Sequence, residues 1–414
     1  MGKEQTPLAP YRVLDLVGEI GDFCPKVLAA LGADVIKIEP PGGHPTRRIG
    51  PFYHDEPDLE KSLHWFHYNL NKRSITLNIE CATGQDFFKR LVKTADFLVE
   101  SFRPGYLDKL GLGYSQLRAL NPRLIHISIT PFGSTGPYSQ FKGSNLVASA
   151  MSGFLLLCGD PDRPPVQVTV PVSYVETGLQ AVAAGMVAFW YQQRTGEGQH
   201  VDVSAQEVLT DQILPYSLVW KNMVALPYRD KAGAHVPGRT VGPAIMKCKD
   251  EKYVVCFSTI DRGRQPLREW LASEGMAGNL LDKEWDPVIL QGAQPTEGQK
   301  NHLDKLFQAF ASKYTSDELM WEAQKRDIQV AKVFSVRDVV ENPHSKHSGY
   351  FVRVEHPELG QSILYPGSPI KSDGISWSYE RRAPFIGEHN EEIYGKELGL
   401  SREEMAVLKQ GGVI

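Results

Sequence analysis

The feature that most constrains this chain lies between Tyr11 and Ile38. Tyr11-Arg12-Val13-Leu14-Asp15-Leu16 is a β-type run, Pro25 to Leu31 carries apolar residues at helical spacing, and Gly32 ends that helix before Asp34-Val35-Ile36-Lys37-Ile38, a buried-strand pattern. A strand, helix and strand in close succession require a crossover, which sets the two strands parallel in one sheet. The alternation continues through Ser74-Ile75-Thr76-Leu77-Asn78, a helix near 84–94, Phe97-Leu98-Val99-Glu100 and Leu124-Ile125-His126-Ile127-Ser128-Ile129. Each repeat strengthens an α/β, doubly wound reading.

The 414 residues exceed one ordinary domain, so a second, smaller unit is expected. Residues 178–193 read as an alanine-rich apolar helix in which Gly185 permits close packing. Gly196-Glu197-Gly198 then turns the chain into a strand at Gln199–Ser204, followed by a helix that Pro215 breaks. Residues 226–243, rich in Pro and Gly, read as a linker; beyond it lie a strand near 252–258 and helices near 266–273 and 301–325. Residues 346–382 are turn-rich, and 391–408 are largely helical.

Charge and cysteine usage narrow the function classes. With 45 basic and 49 acidic residues the net charge is −4, which gives no general attraction to nucleic acid or anionic lipid. Five scattered cysteines, none in a CxxC pair, read as reduced thiols. No sequence run approaches the roughly 18 apolar residues of a membrane span, and Met1-Gly2 with Thr6 is too short a match to argue for myristoylation. The expectation is a cytoplasmic protein with neither membrane nor nucleic acid as partner.

Two basic motifs flank predicted strands. Asn71-Lys72-Arg73-Ser74 precedes one, and Ser101-Phe102-Arg103-Pro104-Gly105 follows another, at the strand end that faces the ligand crevice of an open α/β sheet. Arg103, helped by Lys109 and Lys142, suits a phosphorylated ligand, and Phe102 suits a flat base; a solvated basic surface is the alternative. Gly21-Asp22 and Gly42-Gly43 bring backbone N–H groups to loops beside the sheet, yet neither completes a GxGxxG. No HExxH and no GxSxG occurs, and His64 and His67 read as flanks of an aromatic segment rather than metal ligands.

Taken in order, these segments resemble the class III CoA-transferases, the family of formyl-CoA transferase, carnitine CoA-transferase and α-methylacyl-CoA racemase. The resemblance runs from Val13-Leu14-Asp15-Leu16 and Leu31–Glu39 through Asn71–Ile75, Glu100–Gly105, Asn121-Pro122-Arg123, Phe132–Pro137 and Arg194–Gln199 to Ala383–Asn390 and Leu398–Ser401. It implies a Rossmann-like large domain in 1–225, a small α+β domain in 226–330, a return to the large domain in 331–414, and two chains interlocked as a dimer. It also implies that Lys72, Arg73, Phe102, Arg103, Lys109 and Lys142 lie at or beside a CoA site. The CoA thioester is then a substrate, and no permanent cofactor or metal is expected.

In that family an aspartate attacks the acyl-CoA thioester, and the acyl and CoA groups are then exchanged through covalent intermediates. The resemblance places this aspartate four residues before Gly178, where the chain has Tyr174. A phenol with a pKa of about 10 is mostly protonated at neutral pH and is a poor nucleophile. Glu176 is the nearest carboxylate and the candidate catalytic substitute, although two residues along a helix point to another face; Asp160 and Asp162 look like turn formers. The racemase histidine would fall at Ser144, before Asn145. The resemblance thus implies a CoA-transferase subunit working beside a related, aspartate-bearing subunit on a donor such as succinyl-CoA and an acceptor such as benzylsuccinate. The alternatives are a self-sufficient acyl-CoA enzyme using Glu176 and a non-catalytic CoA-thioester binding protein.

Overall fold

A computed structural model describes residues 6–159, 162–213, 228–230, 233–235, 245–256, 264–291, 293, 295–373 and 377–414. Two compact units divide the chain: one holds residues 1–152, 169–211 and 343–414, the other 153–168 and 212–342. The chain thus changes unit at 212 and 343, where boundaries at 226 and 331 were expected, the first from the Pro- and Gly-rich linker, and 153–168 is a separate excursion. Composition marks where glycine and proline accumulate, whereas a unit ends where packing contacts stop.

In the first unit β1 (Arg12–Leu16), α1 (Phe23–Ala30), β2 (Asp34–Glu39), α2 (Leu63–Tyr68), β3 (Arg73–Thr76), α3 (Ala82–Val92), β4 (Phe97–Glu100), α4 (Tyr106–Lys109), α5 (Tyr114–Leu120), β5 (Ile125–Thr130), α6 (Asn145–Met151), α7 (Val172–Thr195), β6 (His200–Ser204) and α8 (Ala205–Gln212) follow one another. The six strands form one parallel sheet in the order β3-β2-β1-β4-β5-β6, a doubly wound arrangement whose strand order reverses beside β1. Gly32 closes α1 with a φ of +95°, the left-handed conformation that a side chain resists.

Alternate residues divide the sheet between two cores. Leu14, Ile36, Ile75 and Leu98 face a cluster with Phe88 and Leu91 of α3 and Leu117 of α5. Val13, Val35, Val99 and Ile127 face α1 and α7. Helix α7 begins at Val172, six residues before the apolar run that marks it in the sequence, so Tyr174 and Glu176 lie within it. By length and composition α7 is apolar enough to cross a membrane, contrary to the sequence expectation. One face of it packs in the core, with Gly178, Ala181, Gly185 and Ala188 buried against the sheet and α1, while Leu179, Val187, Trp190 and Tyr191 are exposed.

Burial also decides the fate of the charges. Lys37 Nζ and Lys72 Nζ donate to the two oxygens of Asp15 at 3.0 and 2.8 Å, with all three side chains fully buried. This joins β1 to β2 and to the entry of β3. Arg47 holds Glu39 at 2.7 Å, lies over the Trp65 ring at 3.7 Å, and shares the Pro384 carbonyl oxygen with Trp65 Nε1. The segment 383–394 covers the outer edge of β3: His389 N donates to Ser74 O, Asn390 Oδ1 accepts from Thr76 N at 2.9 Å, and Tyr394 Oη donates to Thr76 O at 2.7 Å. An open strand edge is thereby blocked.

The second unit has its own core around Trp270, Leu271, Trp285, Phe307 and Phe310. A three-stranded antiparallel sheet, Ile245–Lys247, Tyr253–Cys256 and Val330–Lys332, supports it. The single helix expected over 301–325 is two, Glu297–Ala311 and Ser316–Gln324, because Thr315 and Glu318 form a capping box that starts a new helix. In the first unit the turn-rich stretch expected over 346–382 contains an antiparallel hairpin, Phe351–His356 with Gln361–Pro366. Residues 226–227, 231–232 and 236–243 of the proposed linker, and Pro215, lie outside the described residues.

Lys72→Met, which leaves the Asp15 carboxylate buried beside one lysine, is expected to cost about 3–5 kcal/mol in chemical denaturation. A second test uses the Lys26–His67 pair, whose Nζ and Nε2 are 2.7 Å apart. Burial, then the neighbouring Lys26 charge, pushes His67 down to about 3. The unfolded chain therefore binds a proton that the folded chain refuses, so stability present above about pH 6.5 is lost as pH falls toward 3, at up to about 1.4 kcal/mol per pH unit. The melting temperature should drop between pH 6.5 and 4.5, and drop less in His67→Gln.

Candidate active site

The carboxyl ends of β1, β2, β3 and β4 open onto a cavity of about 490 Å³ lined by Leu16, Ile38, Pro40, Pro41, Leu77, Ile79, Phe102 and Tyr106. Phe102 and Tyr106 stack at 4.7 Å between ring centres, tilted by 34°. Apolar walls closed by two rings on one side suit a flat base. The position follows from topology, since this is the strand-end crevice of an open α/β sheet. Leu77, Asn78, Ile79 and Glu80 also line it, and sequence reading missed them. Their signal was positional: they follow β3 directly, at the same sheet edge as Phe102.

The basic residues expected at a CoA site separate into two groups. Phe102 lines this cavity, and Arg103 is exposed just past β4, its Nε donating to Gln140 Oε1 at 3.0 Å and Nη2 to Gln140 O at 2.7 Å. Lys109 stands exposed at the end of α4, and Lys142 exposed two residues beyond Gln140. Lys72 and Arg73 are engaged elsewhere. Lys72 is 1% exposed and bound to Asp15 and to Asn69 Oδ1, with burial pushing its pKa down. Arg73 is buried among Asp34, Glu392 and Glu397, at 2.5, 2.9 and 2.7 Å. A cation so paired would have to abandon its partners to meet a phosphate, so both act as ties within the unit.

Tyr174 lies in the first turn of α7. Gly178, one turn later, is pressed against α1, where a Cβ would stand 2.6 Å from Phe23 Cβ and 3.1 Å from the Cys24 nitrogen. This contact fixes the start of α7 beside the loop between β1 and α1. That loop carries Glu19, and it is tied to the end of β4 by a 2.7 Å bond from Gly18 N to Ser101 Oγ. Burial, then the Glu19 carboxylate, holds the Tyr174 phenol above its ordinary pKa, while a hydrogen bond from the Asn145 backbone opposes the shift. Asn145 also accepts from Ser173 N at 3.2 Å, so α6 and α7 start side by side. A phenol raised in pKa is less ionised at neutral pH than a free one.

The other sequence candidates fall into place by their partners. Glu176 is half-buried on α7, about 200° around the helix from Tyr174. Ser144 is the N-cap of α6, its Oγ accepting from Val147 N at 3.3 Å. Asp162 is an exposed turn residue, and Asp160 lies outside the described residues. His64 Nε2 is 3.0 Å from Asp22 Oδ2, and no group able to hold a metal occurs among the described residues. Gly21 and Gly42-Gly43 flank the carboxyl ends of β1 and β2; Gly42 and Gly43 turn with φ of +90° and +94°. Glu19 carried no motif, and only the loop geometry brings it to Tyr174.

Comparison with known proteins bears on this site. Residues 8–390 match CoA-transferase family III. The chain is 34% identical over 391 residues to succinyl-CoA:(R)-benzylsuccinate CoA-transferase subunit BbsE of Thauera aromatica, covering 92% of each. It is 31% identical to succinyl-CoA–D-citramalate CoA-transferase of Chloroflexus aurantiacus, covering 99% of this chain and 98% of that one. With formyl-CoA:oxalate CoA-transferase of Streptomyces avermitilis the identity is 33%, over 98% and 99%. Among solved structures, a CAIB/BAIF family protein from Brucella suis superposes with a TM-score of 0.79 at 27% identity, covering 94% of this chain and 99% of the other.

The tight α1–α7 contact has a direct consequence. Gly178→Ala is expected to cost about 1–3 kcal/mol in denaturant unfolding, because the added methyl meets Phe23 and the α1 backbone rather than open space. Gly42→Ala, whose Cβ meets nothing within 4 Å, should cost only the smaller backbone penalty of a positive φ.

Proposed function

The chain belongs to the class III CoA-transferases, and from that premise we propose that it is one subunit of a heteromeric CoA-transferase, its own site lacking the nucleophile. The observation that carries this reading is Tyr174. The family position of the nucleophile is occupied by a phenol whose protonated form the site favours, and a protonated phenol cannot follow the mixed-anhydride and thioester sequence of a carboxylate. On this reading a related subunit supplies the aspartate.

The nucleotide of the CoA thioester lies in the cavity between Pro40 and Leu77, with its base against Phe102 and Tyr106. Arg103, Lys109 and Lys142 meet the phosphates, and Lys72 and Arg73 hold the sheet edge from behind. The relative in Thauera aromatica, named as a subunit, supports succinyl-CoA as donor and a benzylsuccinate-like dicarboxylic acid as acceptor. Helix α7 supports an interlocked partner chain: Val187 is 71% and Trp190 66% exposed on the helix whose other face packs into the core. Such side chains are the ordinary content of an obligate interface.

A second reading rests on Glu19, whose carboxylate is near enough to raise the Tyr174 phenol. It makes the chain self-sufficient, with a carboxylate reaching the thioester from the β1–α1 loop instead of from α7; Glu176 is the corresponding candidate on α7 itself.

The deciding experiment expresses the chain alone and with a related subunit bearing the aspartate, and measures CoA transfer from succinyl-CoA to benzylsuccinate. Activity is expected only for the pair, unchanged by Glu19→Gln or Glu176→Gln in this chain. Full activity from the chain alone, abolished by either substitution, establishes the second reading instead. Phe102→Ala should weaken CoA binding to this chain by about tenfold, the loss of one base–aromatic contact.

A further inference from the structure

On the sheet face away from α7, the β4–β5–β6 side is polar where a covered sheet is ordinarily apolar. Glu100, His126, Ser128, Thr130 and His200 project from three adjacent strands into a cavity of about 430 Å³, many times the roughly 30 Å³ share of one water. His126 is 3% and Thr130 1% exposed, yet both ring nitrogens of His126 and Thr130 Oγ1 have no hydrogen-bond partner among the described residues. Burying polar atoms unpaired costs about 1–3 kcal/mol each, a cost the fold would shed by carrying leucine and valine there.

The charges in the cavity select a ligand class. The Glu100 carboxylate is buried, one oxygen accepting from Phe102 N at 2.7 Å and the other 3.7 Å from His126 Nε2. Asp108 adds a second carboxylate to the lining; Arg103 and Gln140 line it as well, the guanidinium bonded to Gln140. His200 is bonded to Ser128 Oγ at 2.9 Å, stacked on Tyr114 at 5.4 Å, and kept neutral by burial and then by His126. Tyr106 and Phe102 close the side toward the nucleotide cavity. A buried carboxylate, buried polar atoms without a partner among the described residues and aromatic walls complement a cation that donates several hydrogen bonds.

We propose that this cavity binds a small protonated amine, its ammonium group donating to Glu100, His126 and Thr130 and its carbon chain lying against Tyr114 and Tyr106. The cavity shares Phe102 and Tyr106 with the proposed nucleotide cavity and Arg103 with the proposed phosphate contacts, and it can be tested without any CoA ester.

The test is calorimetric titration of the full chain with n-butylammonium, n-butanol and butyrate at pH 7.5, repeated on Glu100→Gln and His126→Leu. The Glu100→Gln side chain keeps an acceptor for Phe102 N–H while removing the charge. Saturable binding of one butylammonium per chain, weakened about tenfold or more in Glu100→Gln, with no binding of butyrate or butanol, is expected. His126→Leu should abolish binding and raise the melting temperature, because it removes unpaired polar atoms from a buried place. No saturable amine binding, equal binding in Glu100→Gln, or preference for butyrate overturns the proposal. Should Glu100→Gln fail to fold, His126→Leu decides alone: retained amine binding, or a lowered melting temperature, overturns it equally.

Discussion

Asp15 binds two buried lysines with one carboxylate, and the arrangement of the sheet edge that faces ligand depends on it. Lys37 comes from β2 and Lys72 from the turn before β3. None of the three side chains reaches water, so each charge is tolerable only while the other two are in place. Burial alone would raise the Asp15 carboxyl; the two lysines more than offset it and hold it below the ordinary range. Lys37 also donates to Val17 O at 2.5 Å, which carries the restraint into the loop that presents Glu19.

From that restraint the site follows in steps. The β1–α1 loop is pinned at Gly18 to Ser101, and α1 then offers Phe23 and Cys24 as the floor on which Gly178 of α7 rests. Tyr174 is positioned by that contact. On the other side, Arg47 and Glu39 bind the returning segment at Pro384, and this segment seals the edge of β3. The cavity beside Phe102 and Tyr106 opens between these two sets of ties, its walls largely apolar because the charges nearby are already spent on one another.

Much of the first unit was legible in the sequence because its strands are buried on both faces and read as continuous apolar runs. The basic motif Asn71-Lys72-Arg73-Ser74 was legible as a position but not as a role. Seen as sequence, Lys72 and Arg73 are cations beside a strand; in the fold both point inward to carboxylates that lie 57 and 39 residues away. Phe102 lines the crevice, because the end of a strand fixes which sheet edge a residue occupies. The break at Thr315 was missed for a local reason: apolar spacing continues through it, and only the capping box shows that the helix restarts.

What the sequence by itself determined is the parallel α/β sheet, the family, and a phenol where a carboxylate is expected, since these depend on the order and type of residues alone. What only the tertiary structure decided is which charges are free. The Glu19 charge acting on Tyr174, Lys72 and Arg73 withdrawn into ion pairs, and His126 and Thr130 left without a partner among the described residues near Glu100 all arise from the approach of distant segments. A charge or hydrogen-bonding group takes its function from its partners and its access to water, and neither is written in the spacing of the chain.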